Sequence, residues 1–458
     1  MNRYNSRKEV HYLGSNLIPS LKSIKARAIN GSIWSTLGFG SAQFVRLLSN
    51  LLLTRLLFPE VFGVMALVMV VLQGIKMFSD IGISTSVVRD ERGDNPDYLN
   101  TAWTLQTMRG VAIWAISCAL AYPASNLYEA PQLLALIPVI GFTAVIQGFN
   151  APGILSLKRH MKVRQLISWE FTTQLVTVVM TVLLAWQYRS IWAIAVGGVL
   201  GALIGCFLSY IMTQSKRPRF LLEPDALNSI FRFGKWIFLS TALTFVVRQG
   251  DVLLLGVFLT KTQLGLFSIA VIWSRVLLQL LLKINHQVMM PLYAEAYRNN
   301  KYTIKDNIKK TRMYLLLASL PFVCVMVLGG QFFIELLYDV RYHSAGWMLQ
   351  MLSIGTIGMV INATAGTALL SFGDSFGFML VQVARAFLLV ICMLVGGIYF
   401  GVVGMITGVV VSNLFSYPVL AMVLHRHRVW QPSVDLIAFC ACACVIGFGL
   451  IATDGMNL

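Results

Sequence analysis

The stretch INGSIWSTLGFGSAQFVRLLSNLLLTRLLFPEVFG (residues 29–63) returns 202 positions later as FRFGKWIFLSTALTFVVRQGDVLLLGVFLTKTQLG (residues 231–265). In that register Trp34 lies on Trp236, Arg46 on Arg248 and Gly63 on Gly265, and Leu51-Leu52-Leu53 falls on Leu253-Leu254-Leu255. Each copy is an apolar run long enough to cross the ~30 Å hydrocarbon core of a bilayer, with an arginine inside it. Agreement among leucines is cheap, but a shared intramembrane arginine is not: a charge at the helix centre costs roughly 2.5–3.5 kcal/mol on insertion scales. The two stretches therefore read as the first helix of two related halves. Further on the register slips, and Leu127-Tyr128-Glu129 in one half resembles Leu337-Tyr338-Asp339 in the other.

Outward from this pair, the 458-residue chain is 57% apolar and 12% charged, against ~25% charged in an ordinary soluble domain. Apolar runs predict spans at 29–55, 61–84, 101–122, 133–155, 165–186, 190–212, 234–259, 265–290, 313–334, 345–372, 376–399 and 401–424, with a shorter thirteenth near 435–452. The fold class expected is all-α and polytopic. Six spans per half is an even number, so both halves cross the membrane in the same sense, giving two parallel six-helix lobes around a central cavity. The division expected is a basic N-terminal segment at 1–28, an N-lobe at 29–215, an inter-lobe linker at 216–233, a C-lobe at 234–424, and a loop with one extra C-terminal helix at 425–458.

Charge supplies the orientation. Of the Lys and Arg residues outside the spans, twenty-five fall in the N-terminal segment and alternate loops, and four (Arg55, Arg189, Lys261 and Arg341) on the other side. That bias predicts a cytoplasmic N-terminus. It also accounts for the net charge of +17 without nucleic acid as a partner. The first apolar run is too long for the h-region of a cleaved leader. All seven cysteines lie in apolar runs, so no disulfide framework is expected. Cys440-x-Cys442-x-Cys444 reads as small packing residues rather than a metal site, because its members do not share a helix face. No metal or cofactor is expected.

Seven basic residues fall inside the spans: Arg46, Lys76, Arg109, Arg248, Arg275, Lys283 and Arg385. In-span acids are fewer, chiefly Asp80, Glu170 and Asp251. Steps of three and four place several on polar stripes. These are Ser35, Gly38, Ala42, Arg46 and Ser49; Gln73, Lys76 and Asp80; Glu170, Gln174, Thr177 and Thr181; Thr241, Thr244, Arg248 and Asp251; and Arg275, Gln279, Lys283 and Gln287 with His286 adjacent. The first, second, seventh and eighth spans are the candidate cavity wall. A positive excess selects an anionic ligand, and the guanidinium fork suits phosphate or diphosphate. The candidate substrate-binding set is Arg46, Arg248, Arg275, Lys76, Lys283, Gln73 and Gln279, with Asp80, Glu170 and Asp251 as candidates for ion or proton coupling. Plainer readings stand beside these: intrahelical ion pairs for Lys76 with Asp80 and for Arg248 with Asp251, a snorkelling Arg109, and an interfacial anchor for Lys283, His286 and Gln287.

Residues 26–63, together with FSDIGISTSVVR (78–89), NTAWTLQTMRG (100–110) and FRFGKWIFLSTALTF (231–245), resemble the bacterial polysaccharide exporters. These are the Wzx-type flippases of the multidrug/oligosaccharidyl-lipid/polysaccharide superfamily, and the likeness is greatest to the colanic acid exporter branch. The resemblance spans roughly residues 26–425. It implies an inner-membrane protein, not an enzyme, that moves an undecaprenyl-diphosphate-linked oligosaccharide to the periplasmic leaflet. The implied partners are that substrate, the membrane lipids and polysaccharide polymerase or assembly proteins. In this pattern Arg46, Arg248 and Arg275 would take the diphosphate, with Lys76 and Lys283 adding longer-range attraction. Two alternatives are a cation-coupled drug exporter of the same superfamily, which calls for in-span carboxylates in excess of bases, and a membrane glycosyltransferase or polymerase, which calls for catalytic groups on large outer loops. A non-transporting assembly partner is a third.

Overall fold

The computed structural model describes residues 21–214, 218–284, 304–371, 374–427 and 429–440, with isolated positions at 289, 293 and 443; among the described residues there is no strand. The helices are α1 (Leu21–Leu56), α2 (Pro59–Phe78), α3 (Ile83–Arg89), α4 (Pro96–Leu127), α5 (Leu133–Gly148), α6 (Gly153–Arg159), α7 (Val163–Tyr188), α8 (Ile191–Thr213), α9 (Pro224–Phe258), α10 (Lys261–Ile284), α11 (Ile304–Leu337), α12 (Ala345–Ser371), α13 (Ser375–Phe415) and α14 (Tyr417–Arg426). Eight are long and apolar enough to cross a membrane, and α5 with α6, bent by 70°, makes a ninth. Residues 432–440 are helical where the thirteenth run was expected to begin, and Cys442 and Cys444 lie outside the described residues.

Local chemistry sets the breaks. Prolines open α2, α4 and α9, a position where the missing N–H would have no helical partner anyway. The 41-residue α13 contains one non-helical residue, Gly401 (φ 58°, ψ −137°). That left-handed turn suits glycine and divides the eleventh apolar run from the twelfth. Asp374 caps α13 by accepting the Gly377 N–H at 2.8 Å, and its other oxygen lies 2.6 Å from His427 Nε2 at the end of α14. The Gly377 N–H and the His427 ring hold the Asp374 carboxyl below the usual carboxylate range. A depressed pKa means that the stabilisation is complete above the unfolded value of about 3.9 and fades as pH falls through the folded one. Asp374→Ala is expected to lower stability by ~1 kcal/mol at neutral pH. Thermal unfolding in detergent at pH 7 and at about pH 3 checks this: the deficit should shrink in acid.

The same pairings recur in the two halves. The first span packs on the fifth (α1 on α7, α9 on α13), the third on the fourth (α4 on α5, α11 on α12), and the second on the fourth (α2 on α5, α10 on α12). The lobes meet where α2 crosses α10. A Cβ built on Gly63 would clash with the Lys261 carbonyl oxygen, and one built on Gly265 with that of Pro59. The two glycines, equivalent in the sequence repeat, thus face each other across the pseudo-two-fold axis. Thr262 Oγ1 donates to Glu60 Oε1 at 3.2 Å at the same crossing. Gly63→Ala or Gly265→Ala should destabilise the protein by ~1–3 kcal/mol through overpacking, read as a fall in unfolding temperature.

The crossing lies toward the end of the molecule that carries the short loops. There one apolar core is shared by both lobes, with Leu57, Phe62 and Tyr128 from one and Leu264, Tyr338 and Tyr342 from the other. Polar contacts tie the same end. Tyr342 donates to the Leu57 carbonyl at 2.7 Å, Arg55 to the Leu337 carbonyl at 3.1 Å, Tyr338 to Asn50 Oδ1 at 2.9 Å, and Lys261 to the Tyr128 carbonyl. The tyrosines of the matched Leu-Tyr-Glu and Leu-Tyr-Asp segments therefore both lie in this seal. At the opposite, basic end the core splits. Ile83, Val87, Tyr98 and Leu155 pack with Ile230 in one cluster, and Leu281, Ile308, Leu369 and Leu424 in another. The seams between the lobes are unequal too: α2 packs along α9, with Phe78 on Phe245 at 5.6 Å between ring centroids, whereas α1 and α10 are only sparsely in contact.

Candidate functional site: an arginine cluster on the lobe-facing helices

Helices α9 and α10, which pack against α2 of the other lobe, and α13, which packs on α9, bring three guanidinium groups together with one carboxylate. Arg248 and Asp251 sit one turn apart on α9. Asp251 is buried and pairs with Arg275 Nη2 of α10, while Arg275 Nη1 donates to the Arg248 carbonyl at 3.2 Å. From α13, Arg385 donates to Gln382 Oε1 at 3.3 Å and to Asn413 Oδ1 at 3.4 Å, and its buried Nε has no hydrogen-bond partner. Arg385 is close enough to Arg275 and Arg248 for their charges to act on it. A narrow cleft lies between Asp251, Arg275, Arg385 and Asn413. Three positive groups against one negative leave a surplus of two. Oriented guanidinium donors of this kind match the oxygens of a phosphoryl group.

The other sequence candidates are dispersed around this cluster. Arg46 is exposed on α1 with no side-chain partner among the described residues, and Gln73 is exposed on α2; Gln279 is half-buried on α10. Lys283, also on α10, stands 5.7 Å from the centroid of the Phe39 ring of α1, at the loosely packed seam. Glu170 is exposed at the start of α7. His286 and Gln287 lie outside the described residues.

Several pairings differ from the sequence expectation. Asp251 takes Arg275 rather than Arg248, so that ion pair joins two helices. Helix α2 ends at Phe78, short of the expected 84, and Asp80 lies in the turn beyond it, off the Gln73 and Lys76 stripe. There Asp80 accepts the Gly82 N–H at 3.1 Å and faces Arg109 at 3.6 Å. Arg109 does not snorkel: it also donates to the Lys76 carbonyl at 2.8 Å and to Ser79 Oγ at 3.2 Å, closing the end of α2. The polar stripe of the fifth span is largely a packing seam. Thr177 and Thr181 meet Gly201 and Gly197 of α8, and Gln174 donates to the Ala42 carbonyl of α1 at 2.7 Å. In lipid, helices approach through small and hydroxylic residues, which give the same three-and-four spacing as a cavity wall. Gly38 of the first stripe likewise faces Ile167 of α7.

Sequence reasoning passed over two residues. Arg385 satisfies the rule that singled out Arg46, an isolated base inside an apolar run, and that signal was sufficient to find it. Arg312 falls one residue before the apolar run expected at 313–334, and thus among the loop bases, but it is 1% exposed and paired at 2.6 Å with Asp435, which is 0% exposed. The partners are 123 residues apart, and no local pattern announces them.

The two-lobed, all-helical fold is shared with solved membrane transporters. The chain superposes on the lipid II flippase MurJ in an inward closed conformation with a TM-score of 0.70 at 12% identity, covering 92% of this chain and 93% of that one. It also superposes on an inward-facing multidrug resistance MATE family transporter with a TM-score of 0.62 at 12% identity, covering 88% and 96%. Residues 52–346 match the family described as polysaccharide biosynthesis protein, and the chain belongs to that family. Among relatives, the lipopolysaccharide biosynthesis protein WzxC of Escherichia coli (strain K12) is 19% identical over 87% of this chain and 82% of its own length. The succinoglycan biosynthesis transport protein ExoT of Rhizobium meliloti (strain 1021) is 20% identical over 61% of this chain, which spans 56% of ExoT.

Proposed function

We propose that this protein flips an undecaprenyl-diphosphate-linked oligosaccharide from the cytoplasmic to the periplasmic leaflet of a bacterial inner membrane, for assembly into an exopolysaccharide, capsule or O-antigen. The observation that carries the reading is the surplus-positive cluster of Arg248 and Arg275, on the helices that face the other lobe, with Arg385 of α13 behind them. In this reading the cluster and Arg46 grip the diphosphate, Lys76 and Lys283 attract it from further off, and Gln73 and Gln279 contact the head group. The basic end faces the cytoplasm, with the N-terminus inside, and the short-loop end is the periplasmic seal. The loosely packed α1–α10 seam leaves room for the polyprenyl tail to stay in the bilayer while the head group enters.

Rocking of the lobes about the Gly63–Gly265 crossing then exchanges the seal from one face to the other. A cationic drug would call for uncommitted carboxylates, whereas Asp251 is engaged by Arg275. The test is a strain lacking the gene. It should accumulate lipid-linked oligosaccharide that is inaccessible from the periplasm, and re-expression should clear it. Unchanged polymer output with no accumulated intermediate would reject the function.

A further inference from the structure

We propose that the first lobe carries an anion site of its own for a phosphate-class group, in an open-mouthed cavity of about 350 Å³ among α2, α4, α5 and α6. All of its lining residues belong to the first half of the chain, so it is separate from the arginine cluster of α9, α10 and α13. Its polar lining includes Lys76, Asp80, Gln106, Arg109, Gln147 and Lys158. The volume is at the lower end of the ~300–1,000 Å³ usual for ligand pockets.

The charges do not close without a guest. Three bases line the cavity against one carboxylate, and that carboxylate is already taken by Arg109 and by the Gly82 N–H. Lys76 is half-buried in the last turn of α2, has no anionic partner among the described residues, and feels the repulsive charge of Arg109. Arg109 cannot swing away to relieve this, because the Lys76 carbonyl and Ser79 Oγ hold its guanidinium. Like charges fixed side by side around a void are costly when empty. A multiply charged oxyanion between them turns that repulsion into charge-assisted hydrogen bonds. The side-chain amides of Gln147 and Asn150 add neutral donors at the lining. Because Arg109 is held in place by the fold, one of the three bases needs little ordering on binding.

Two sources present this chemistry: free phosphate or diphosphate from solution, and the phosphoryl head group of an anionic membrane lipid. The site shares Lys76 with the proposed approach of the diphosphate but lies away from the arginine cluster, and the experiment separates the two sources. The full-length protein is purified in detergent and titrated calorimetrically with inorganic phosphate and with diphosphate. In parallel it is exchanged into phosphatidylcholine nanodiscs with and without phosphatidylglycerol, and retained lipid is counted by native mass spectrometry. Binding in the first arm identifies a soluble anion, and phosphatidylglycerol retention alone identifies a head group; either supports the site. In both cases Lys76→Met with Lys158→Met should weaken binding by about tenfold or more, since two charge-assisted contacts are lost. The arginine cluster can also take diphosphate, so the lysine variants are compared in an Arg46→Ala, Arg248→Ala background, where the lysine-sensitive binding should persist. Lys158→Met alone, at an exposed position that a stable fold tolerates, should weaken it in the same direction. No binding in either arm, binding indifferent to the two lysines, or loss of the lysine-sensitive binding in the Arg46→Ala, Arg248→Ala background would overturn the proposal.

Discussion

Alanine at both Arg46 and Arg248 is expected to stop glycan export while leaving the protein in the membrane at normal level. Both side chains are exposed, so their removal opens no cavity and breaks no ion pair among the described residues: Asp251 keeps Arg275. What is lost is the charge offered to the ligand. A hydrogen bond to a charged group is worth ~1.5–3 kcal/mol, so each arginine removed should slow transport by roughly ten- to a hundredfold, and the pair should act together. Lysine at either position should rescue poorly, because an ammonium cannot reproduce the bidentate fork. Export and immunoblotted membrane content, measured in the deletion strain, check both statements. Full export by the double variant would remove these two residues from the site.

The second large effect concerns stability. Arg312 of α11 reaches Asp435 in the C-terminal helical segment at 2.6 Å; Tyr417 of α14 donates to the other carboxylate oxygen at 3.0 Å, and Trp430 donates to that tyrosine at 3.1 Å. The pair is out of contact with solvent, and Arg312 Nε and Nη1 find no partner. Removing one member of such a pair strands the other charge at a cost of ~3–5 kcal/mol, whereas replacing both by apolar groups is often neutral or stabilising. Arg312→Met and Asp435→Leu should each lower the unfolding temperature in detergent sharply, and the double variant should recover most of the loss. A double variant no better than the singles would show that the pair does more than balance charge. The recovered variant would also reveal whether the docked tail matters to transport once its stability is restored.

The register of 202 was legible because it rests on tryptophan, arginine and glycine, which do not coincide by chance as leucines do. Its physical meaning came from the coordinates: Gly63 and Gly265 match because both lobes must let a partner helix pass at backbone distance. Helix ends were less legible. Helix α9 begins at Pro224, ten residues before the apolar run expected at 234, since hydropathy reports the thickness of the lipid and not the length of the helix. The bend between α5 and α6 was invisible for a similar reason, because both pieces are apolar. Polar stripes misled in α7, where Thr177 and Thr181 serve a helix seam. Ion-pair partners were the least legible feature. Proximity in sequence suggested Arg248 for Asp251 and Lys76 for Asp80, yet the fold supplied Arg275 from the next helix and Arg109 from α4.

The central claim is that surplus positive charge between the lobes selects a diphosphate. Purified protein in proteoliposomes can be given one short oligosaccharide on two carriers, polyprenyl diphosphate and polyprenyl monophosphate, and the appearance of sugar on the far leaflet timed with an impermeant oxidant. The diphosphate should cross at least about tenfold faster, as expected for one lost charge-assisted contact, and Arg248→Ala should erase most of the difference. Equal rates for the two carriers, unaffected by Arg248→Ala, would contradict the account.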